Sequence, residues 1–440
     1  MIQAISRGLT TVVGRYLPDP LIFAILLVVI TFVLGITITP NGPVAMVQMF
    51  GDGFWNLLAF SMQMALVLVT GHALASSPLL RQGMRRLAAV AKTPEQGVML
   101  VVFMSSICSV INWGFGLVVG ALFAREVARR ITNSDYRLLI ASAYIGFLCW
   151  HGGLSASVPL VAATKGNPME KIAGIIPLSQ TLFTPFNLFI TLALIVTLPF
   201  LCKMMMPKPE DVVAVDPALL EEEASTAKTL GPNATFAEKL EESMLLSLVI
   251  GAFGVAYLGM YFAQNGFNMN INTVNMIFFT AGIVLHKTPM SYMRAVTNAA
   301  RGTAGILIQF PLYAAIQVMM EHSGLGGIIT NWFVNIANKD TFPILVFFSS
   351  GIINFAVPSG GGHWVVQGPF VIPAAQALGA DMGKATMAIA YGEAWMNMAQ
   401  PFWALPALAI AGLGVRDIMG YCVTSLFFSG IIFVIGLHFL

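Results

Sequence analysis

The chain has 440 residues, 57% of them hydrophobic and only 10% charged, with a net charge of +2 and a mean hydropathy of +0.81. Soluble domains carry roughly 25% charged residues, so these values exclude a soluble globular protein and indicate an integral membrane protein in contact with the lipid bilayer. No basic run resembles a nucleic-acid surface, and the four cysteines form no CxxC or Cys/His cluster, so no metal or cofactor is expected.

A membrane-spanning helix needs about 20 apolar residues. The first such segment, 20–38, is too long for a signal-peptide core and reads as an uncleaved first helix; a second covers 54–76. The stretch 95–125 does not fit one crossing. It has two apolar arms around a polar bend, Asn112 to Gly116, and reads as a re-entrant helical hairpin. Spans at 138–162 and 181–205 complete a first membrane repeat, residues 1–205. Residues 206–243 hold nine of the chain's 20 acidic residues and read as a solvated cytoplasmic linker without a chemical role. A helix at 244–263 precedes a second repeat, residues 264–440, with spans at 270–286, 303–321, 385–412 and 418–438. This repeat carries its own re-entrant hairpin, 341–379, bent between Asn354 and His363. The expected fold is an all-α integral membrane protein, an inverted repeat of about nine transmembrane helices plus two re-entrant hairpins.

Two strings carry the repeat: SSICSVINWGFG, ending on Gly116, and SSGIINFAVPSGGGH, ending on His363, with Asn112 and Asn354 as shared anchors. Thr39-Pro40 matches Thr288-Pro289, and Phe60 with His72 matches Phe310 with His322. Asp135 with Gly146 matches Asp381 with Gly392, and Pro159 matches Pro406, all at nearly the same offset. The charges test the layout. With the N-terminus in the cytoplasm and neither hairpin crossing, only Lys165, Lys171, Lys339 and Lys384 of the 22 basic residues fall outside, as the positive-inside rule expects. Each repeat then has an even number of crossings, and the helix at 244–263 inverts the second copy. One hairpin opens to the cytoplasm and the other to the outside, the arrangement of alternating-access carriers.

Polar residues inside these apolar segments are the candidates for chemistry. Both bends free backbone groups at membrane depth, as recognition of an ion or a carboxylate needs. In the first, Asn112, Trp113 and Gly114 offer an amide, an aromatic wall and close backbone approach. In the second, Ser359, Gly360, Gly361, Gly362 and His363 follow Asn354, with His363 favoured for a carboxylate or ion contact. The competing reading for both is a turn that merely closes a hairpin. Glu393, in AIAYGEAWMNMAQPFW, is the one acid well inside an apolar segment, and with Asn397 it is a candidate for ion coupling. His151, in GFLCWHGGLSASVP, sits where Gly152, Gly153 and Pro159 interrupt a helix, as Gln400-Pro401 and Pro406 do in the second repeat. It is a candidate proton carrier. A carboxyl that ties two helices together and a histidine hydrogen-bonded at a helix break are the alternatives. With no phosphate-binding loop, HExxH or GxSxG, neither ATP-driven transport nor an enzyme is expected.

LPDPLIFAILL, VINWGFGLVVGALFAREVARR, INFAVPSGGGHWVVQGPFVIPAAQALGAD and YGEAWMNMAQPFWALPALAIAGLGVRDIMGY resemble the bacterial short-chain fatty acid transporter family, over essentially the whole chain. The resemblance implies a multi-pass carrier of the bacterial cytoplasmic membrane that imports a small monocarboxylate such as butyrate or acetoacetate, with H+ or Na+ as coupling ion. It also implies kinship with a large ion-transporter superfamily whose members pair a scaffold with a moving transport domain and are often homodimers. In sodium-coupled relatives, asparagine-bearing hairpin tips help hold ion and carboxylate. Asn112 and Asn354 stand in comparable places, within Ile-Asn-Trp and Ile-Asn-Phe rather than Ser-Asn-Thr. Trp113, Trp150, Phe355 and Trp395 would wall a short acyl chain. A same-fold carrier of dicarboxylates or sugar acids and a passive small-anion channel are the alternatives. One intramembrane acid and no membrane-embedded arginine fit a singly charged substrate better.

Overall fold

The computed structural model describes residues 20–220, 231, 234–266, 269–354, 357–400 and 402–440; Phe355, Pro401 and the side chain of Pro406 lie outside the described residues. The fold is all-helical, with no strand among the described residues. Lipid offers the backbone no hydrogen-bond partner, and a helix satisfies its peptide groups internally.

Among the described residues, seven helices are long and apolar enough to cross a membrane: Leu58–Ala75, Pro94–Ile111, Tyr136–Ala162, Pro185–Met204, Phe236–Asn265, Pro289–Ser323 and Val415–Phe439. Ala24–Ile38, Ile271–Leu285, Leu325–Ile336 and Phe342–Ile353 are shorter apolar helices. Most expected spans are recovered, but two are interrupted. The first broken span runs Tyr136–Gly146, a tight 3-10 turn Phe147–Gly152, then Ser157–Ala162; the second is split into Met382–Met396 and Ala404–Ala411. Both interruptions fall where glycine, proline and polar residues weaken a continuous helix. The first broken span is almost wholly buried, whereas Phe236–Asn265 is mostly exposed and turns Phe253 and Val255 outward. Such a surface suits lipid, which is as apolar as the side chains themselves.

Each of the two polar bends joins a pair of helices. Pro94–Ile111 and Trp113–Arg130 are joined by the single residue Asn112, and Gly116 and Gly120 lie against Ser109 and Ser105. The first arm is itself long enough to span by length and composition, a feature that the expected 95–125 limits understated. The second hairpin pairs Phe342–Ile353 with Gly360–Leu378, pinned by Ser350 to His363 (2.9 Å) and by Gln367 to Ser349 (3.0 Å).

Equivalent residues make equivalent contacts. The Ser105 hydroxyl donates to the carbonyl of Ala143 (2.5 Å) and that of Ser350 to the carbonyl of Ile389 (2.7 Å), each tying a hairpin arm to its own broken span. A Cβ at Gly146 would collide with the Val102 carbonyl and Ser105, and one at Gly392 with the Phe347 carbonyl and Ser350, so both helix crossings demand glycine. Asp135 and Asp381 cap the broken spans by accepting from the N–H of Leu138 and of Lys384. Phe60 and Phe310, matched in the sequence, pack on one another with ring centres 5.4 Å apart. The framework interlocks crosswise. Pro20–Ile38 and Pro43–Gly53 pack on Ala304–Ser323, while Ile271–Leu285 and Pro289–Ala300 pack on Leu58–Ala75.

The linker departs from expectation. Residues 209–220 are docked rather than merely solvated: Val213 receives the N–H of Tyr136 (2.8 Å) and donates to Asp135 (2.9 Å). Arg125 and Arg129 donate to the carbonyls of Leu219 (2.5 Å) and Leu220 (2.7 Å). Composition marks this segment as polar, but only the fold brings two helix-borne guanidinium groups beneath its bare carbonyls.

Candidate functional site

Asn112 ends one helix and starts the next. Its N–H reaches the Cys108 carbonyl (2.9 Å) and its side-chain oxygen accepts from the Phe115 N–H (2.9 Å). The N–H of Trp113 is held by the Ser155 hydroxyl (2.8 Å), which fastens the first bend to the first broken span. The Trp113 ring packs on Trp150, with centres 5.9 Å apart, and edge-on to Trp403 at 5.0 Å. Gly114 is buried in the turn that follows.

In the second bend Ser359 caps the helix that begins Gly360, Gly361, Gly362 and His363, all buried. A Cβ on Gly360 would run into the Nε2 atom of His151, so this tip reaches across to the broken span of the first half. Asn354 turns the other way. Its amide donates to the Glu393 carbonyl (2.6 Å) and to the side-chain oxygen of Asn397 (2.9 Å). The Asn397 amide in turn donates to Oε1 of Glu393 (3.0 Å).

The two halves meet at Glu393. Its Oε2 lies 3.3 Å from Nδ1 of His151, and Asn354, His363, Glu393, Asn397 and His151 are all 0% exposed. A charged acid at the bilayer centre costs about 2.5–3.5 kcal/mol on insertion scales, so a polar partner is required there. The tautomer of His151 follows from its contacts: Nδ1 lies 2.5 Å from the Ala390 carbonyl, which can only accept, so Nδ1 carries the proton and Nε2 an open lone pair. His363 repeats the pattern. The Ser350 hydrogen goes to the Ile389 carbonyl, so Nδ1 of His363 donates to Ser350, and Nε2 again has no partner. Oε2 of Glu393 and Oδ1 of Asn354 also lack hydrogen-bond partners. Nε2 of His151 and of His363 and Oδ1 of Asn354 are unmet acceptors, and the unpaired indole N–H of Trp150 stands beside them, its ring stacked on His151 with centres 3.5 Å apart; leaving such atoms unmet costs about 1–3 kcal/mol each.

His151 and Asn397 are counterparts in the repeat, at the spacing that also separates Asp135 from Asp381 and Gly146 from Gly392. Their contacts cross over. His151 donates to the carbonyl of Ala390, while Tyr144, the counterpart of Ala390, donates to the carbonyl of Asn397 (3.0 Å).

The fold thus brings Asn354, Glu393 and Asn397 into one hydrogen-bonded knot, sets His151 and Gly360 against it, puts Trp113 on the neighbouring aromatic cluster, and lays Asn112 and Gly114 against Gly71 and Leu68. Trp395 lies elsewhere: its indole donates to the Leu426 carbonyl (2.7 Å) and its ring packs on Phe347 and Phe348. Sequence reasoning did not single out Ser350, Tyr144, Ser155 or Trp403. The Ser-Ser pair shared by the two strings pointed to Ser350; nothing at the level of spacing pointed to the others.

The family profile described as short chain fatty acid transporter matches residues 1–440. An Escherichia coli (strain K12) protein, provisionally named a short-chain fatty acid transporter, is 69% identical over 437 residues, 99% of each chain. A Haemophilus influenzae protein of the same provisional name is 63% identical over 447 residues, covering both chains in full. Among solved structures, the Alcanivorax borkumensis YdaH transporter, described as having an unusual topology, aligns with a TM-score of 0.57 over 95% of this chain and 98% of its own. At 16% identity that likeness speaks for the fold alone.

Proposed function

The chain belongs to the short-chain fatty acid transporter family, and we propose from that premise that it is a secondary active carrier importing butyrate- or acetoacetate-like monocarboxylates across the bacterial cytoplasmic membrane. The observation that carries the reading is that both bends meet the first broken span: Trp113 packs on Trp150, which stacks on His151, and the second tip lies against His151 while Asn354 binds the Glu393–Asn397 pair. In this reading residues 1–205 and 264–440 are inverted halves, the helix near 244–263 supplies the inversion, and alternate exposure of the two re-entrant tips moves the substrate. The interlocked outer helices are a scaffold suited to a homodimer.

His151, Glu393 and Asn397 serve coupling. Nε2 of His151, Oε2 of Glu393 and Oδ1 of Asn354 have no hydrogen-bond partner, and a proton or a sodium ion would satisfy them. No lysine or arginine is buried among the described residues, which favours a singly charged substrate over a dicarboxylate. Uptake of labelled butyrate and acetoacetate into proteoliposomes under imposed proton or sodium gradients tests the proposal. Accumulation under one gradient is expected and names the coupling ion; no uptake under either would overturn it. Saturable counterflow distinguishes this carrier from a passive channel.

A further inference from the structure

The chain has seven tryptophans, and their indole N–H groups divide sharply. Trp55 and Trp332 are exposed. Trp364 and Trp395 each have an acceptor, Asn167 Oδ1 (3.3 Å) and the Leu426 carbonyl (2.7 Å). The remaining three, Trp113, Trp150 and Trp403, are buried, and their N–H groups have no partner. These three are also the ones that cluster, with Trp150 and Trp403 both packed on Trp113. The side-chain amide nitrogen of Asn112, the residue before Trp113, is likewise without a partner, because its oxygen is held by the Phe115 N–H.

We infer that these groups form the carboxylate subsite: the indole N–H groups of Trp113, Trp150 and Trp403 with the amide of Asn112 bind the substrate's carboxylate through neutral donors. The inference rests on the monocarboxylate reading above and divides the labour between the bends. An indole N–H can only donate, and Asn112 has only donors to spare, so the ligand that completes the group is rich in lone pairs. A carboxylate supplies several on two oxygens. The N–H edges offer a cation no lone pair, and the unpaired acceptors Glu393 Oε2, His151 Nε2 and Asn354 Oδ1 do, next to the subsite across the stacked Trp150 and His151 rings. The three indoles come from three elements, the first bend and both broken spans, so the subsite is complete only when these elements meet. The ring faces then border a short alkyl chain. This moves the carboxylate away from His363, whose free nitrogen is an acceptor in the same way as that of His151.

The test uses the full chain, 15N-labelled at tryptophan and reconstituted in lipid nanodiscs, titrated with butyrate. The indole resonances of Trp113, Trp150 and Trp403 are expected to move downfield, while those of Trp364 and Trp395 stay in place. Trp403→Phe and Trp150→Phe keep an aromatic ring and delete one donor. Each is expected to weaken butyrate binding about tenfold, the usual scale for one hydrogen bond to a charged group. Two variants are used so that misfolding of one leaves the other to decide. Unmoved indole resonances with unchanged butyrate affinity in a folded variant would mean that the N–H groups meet water only, and the subsite falls while the carrier reading stands. A wild-type protein that binds no monocarboxylate would overturn both.

Discussion

His151 and Glu393, from opposite halves of the chain, stand 3.3 Å apart, Nδ1 to Oε2, with neither side chain exposed. Because the imidazole proton is committed to the Ala390 carbonyl, the carboxylate oxygen has a neighbour but no donor. A pair in that state is balanced by adding one positive charge, and it links the two broken spans across the centre of the molecule.

Glu393→Gln keeps the volume of the side chain and an acceptor for the Asn397 amide while removing the charge. Gradient-driven accumulation of butyrate is expected to fall at least about tenfold, with butyrate binding retained, since the acid serves the ion and not the carboxylate. Parallel uptake and nanodisc binding measurements check this. Full accumulation by the variant would remove Glu393 from coupling.

Asn354→Ala deletes two hydrogen bonds to the second broken span and leaves the Glu393 carbonyl and Asn397 Oδ1 without that donor. Transport is expected to be lost in a protein that still folds, at a stability cost of about 1–3 kcal/mol. A double-mutant cycle with Asn397→Ala, read by thermal unfolding in detergent, should return a coupling energy of about 0.5–3 kcal/mol, as residues in one network do. Strict additivity would show that the two amides act independently.

Gly360→Ala places a methyl group against the His151 ring, which the Ala390 carbonyl holds in place. Such overpacking costs about 1–3 kcal/mol. Adding His151→Ala opens the space the methyl group needs, so the double variant should regain much of the thermal stability lost by the single one. Failure of that rescue would locate the strain somewhere other than the His151 contact.

Arg125→Ala with Arg129→Ala removes the donors to the Leu219 and Leu220 carbonyls. Amide exchange by mass spectrometry should then accelerate in residues 209–220 and remain unchanged in the second hairpin. Equal exchange rates in wild type and variant would mean that the Val213 contacts alone hold the segment.

Much of the architecture is legible from one-dimensional patterns. Apolar runs of spanning length mark the helices, and polar interruptions at Asn112, His151 and Asn354 mark the places where a helix must stop or turn. Glu393 stands out because a lone acid in an apolar run is costly wherever it points. The contacts of residues 213–220 are not legible for the converse reason: acidic composition describes solubility, whereas these contacts depend on Arg125 and Arg129 lying beside the segment.

Membrane class, family and paired asparagine bends can all be read along the chain, because hydrophobic length, helix-breaking residues and family motifs are local properties. Which polar atoms remain unpaired was decided only by tertiary structure. Trp395 and Trp403 are indistinguishable as letters, yet one indole meets the Leu426 carbonyl and the other meets no acceptor. Hydrogen-bond satisfaction is a property of neighbours brought together from distant segments, so the unpaired donors of the Trp113 cluster and the unpaired atoms around Glu393 emerge only when the halves are packed against each other.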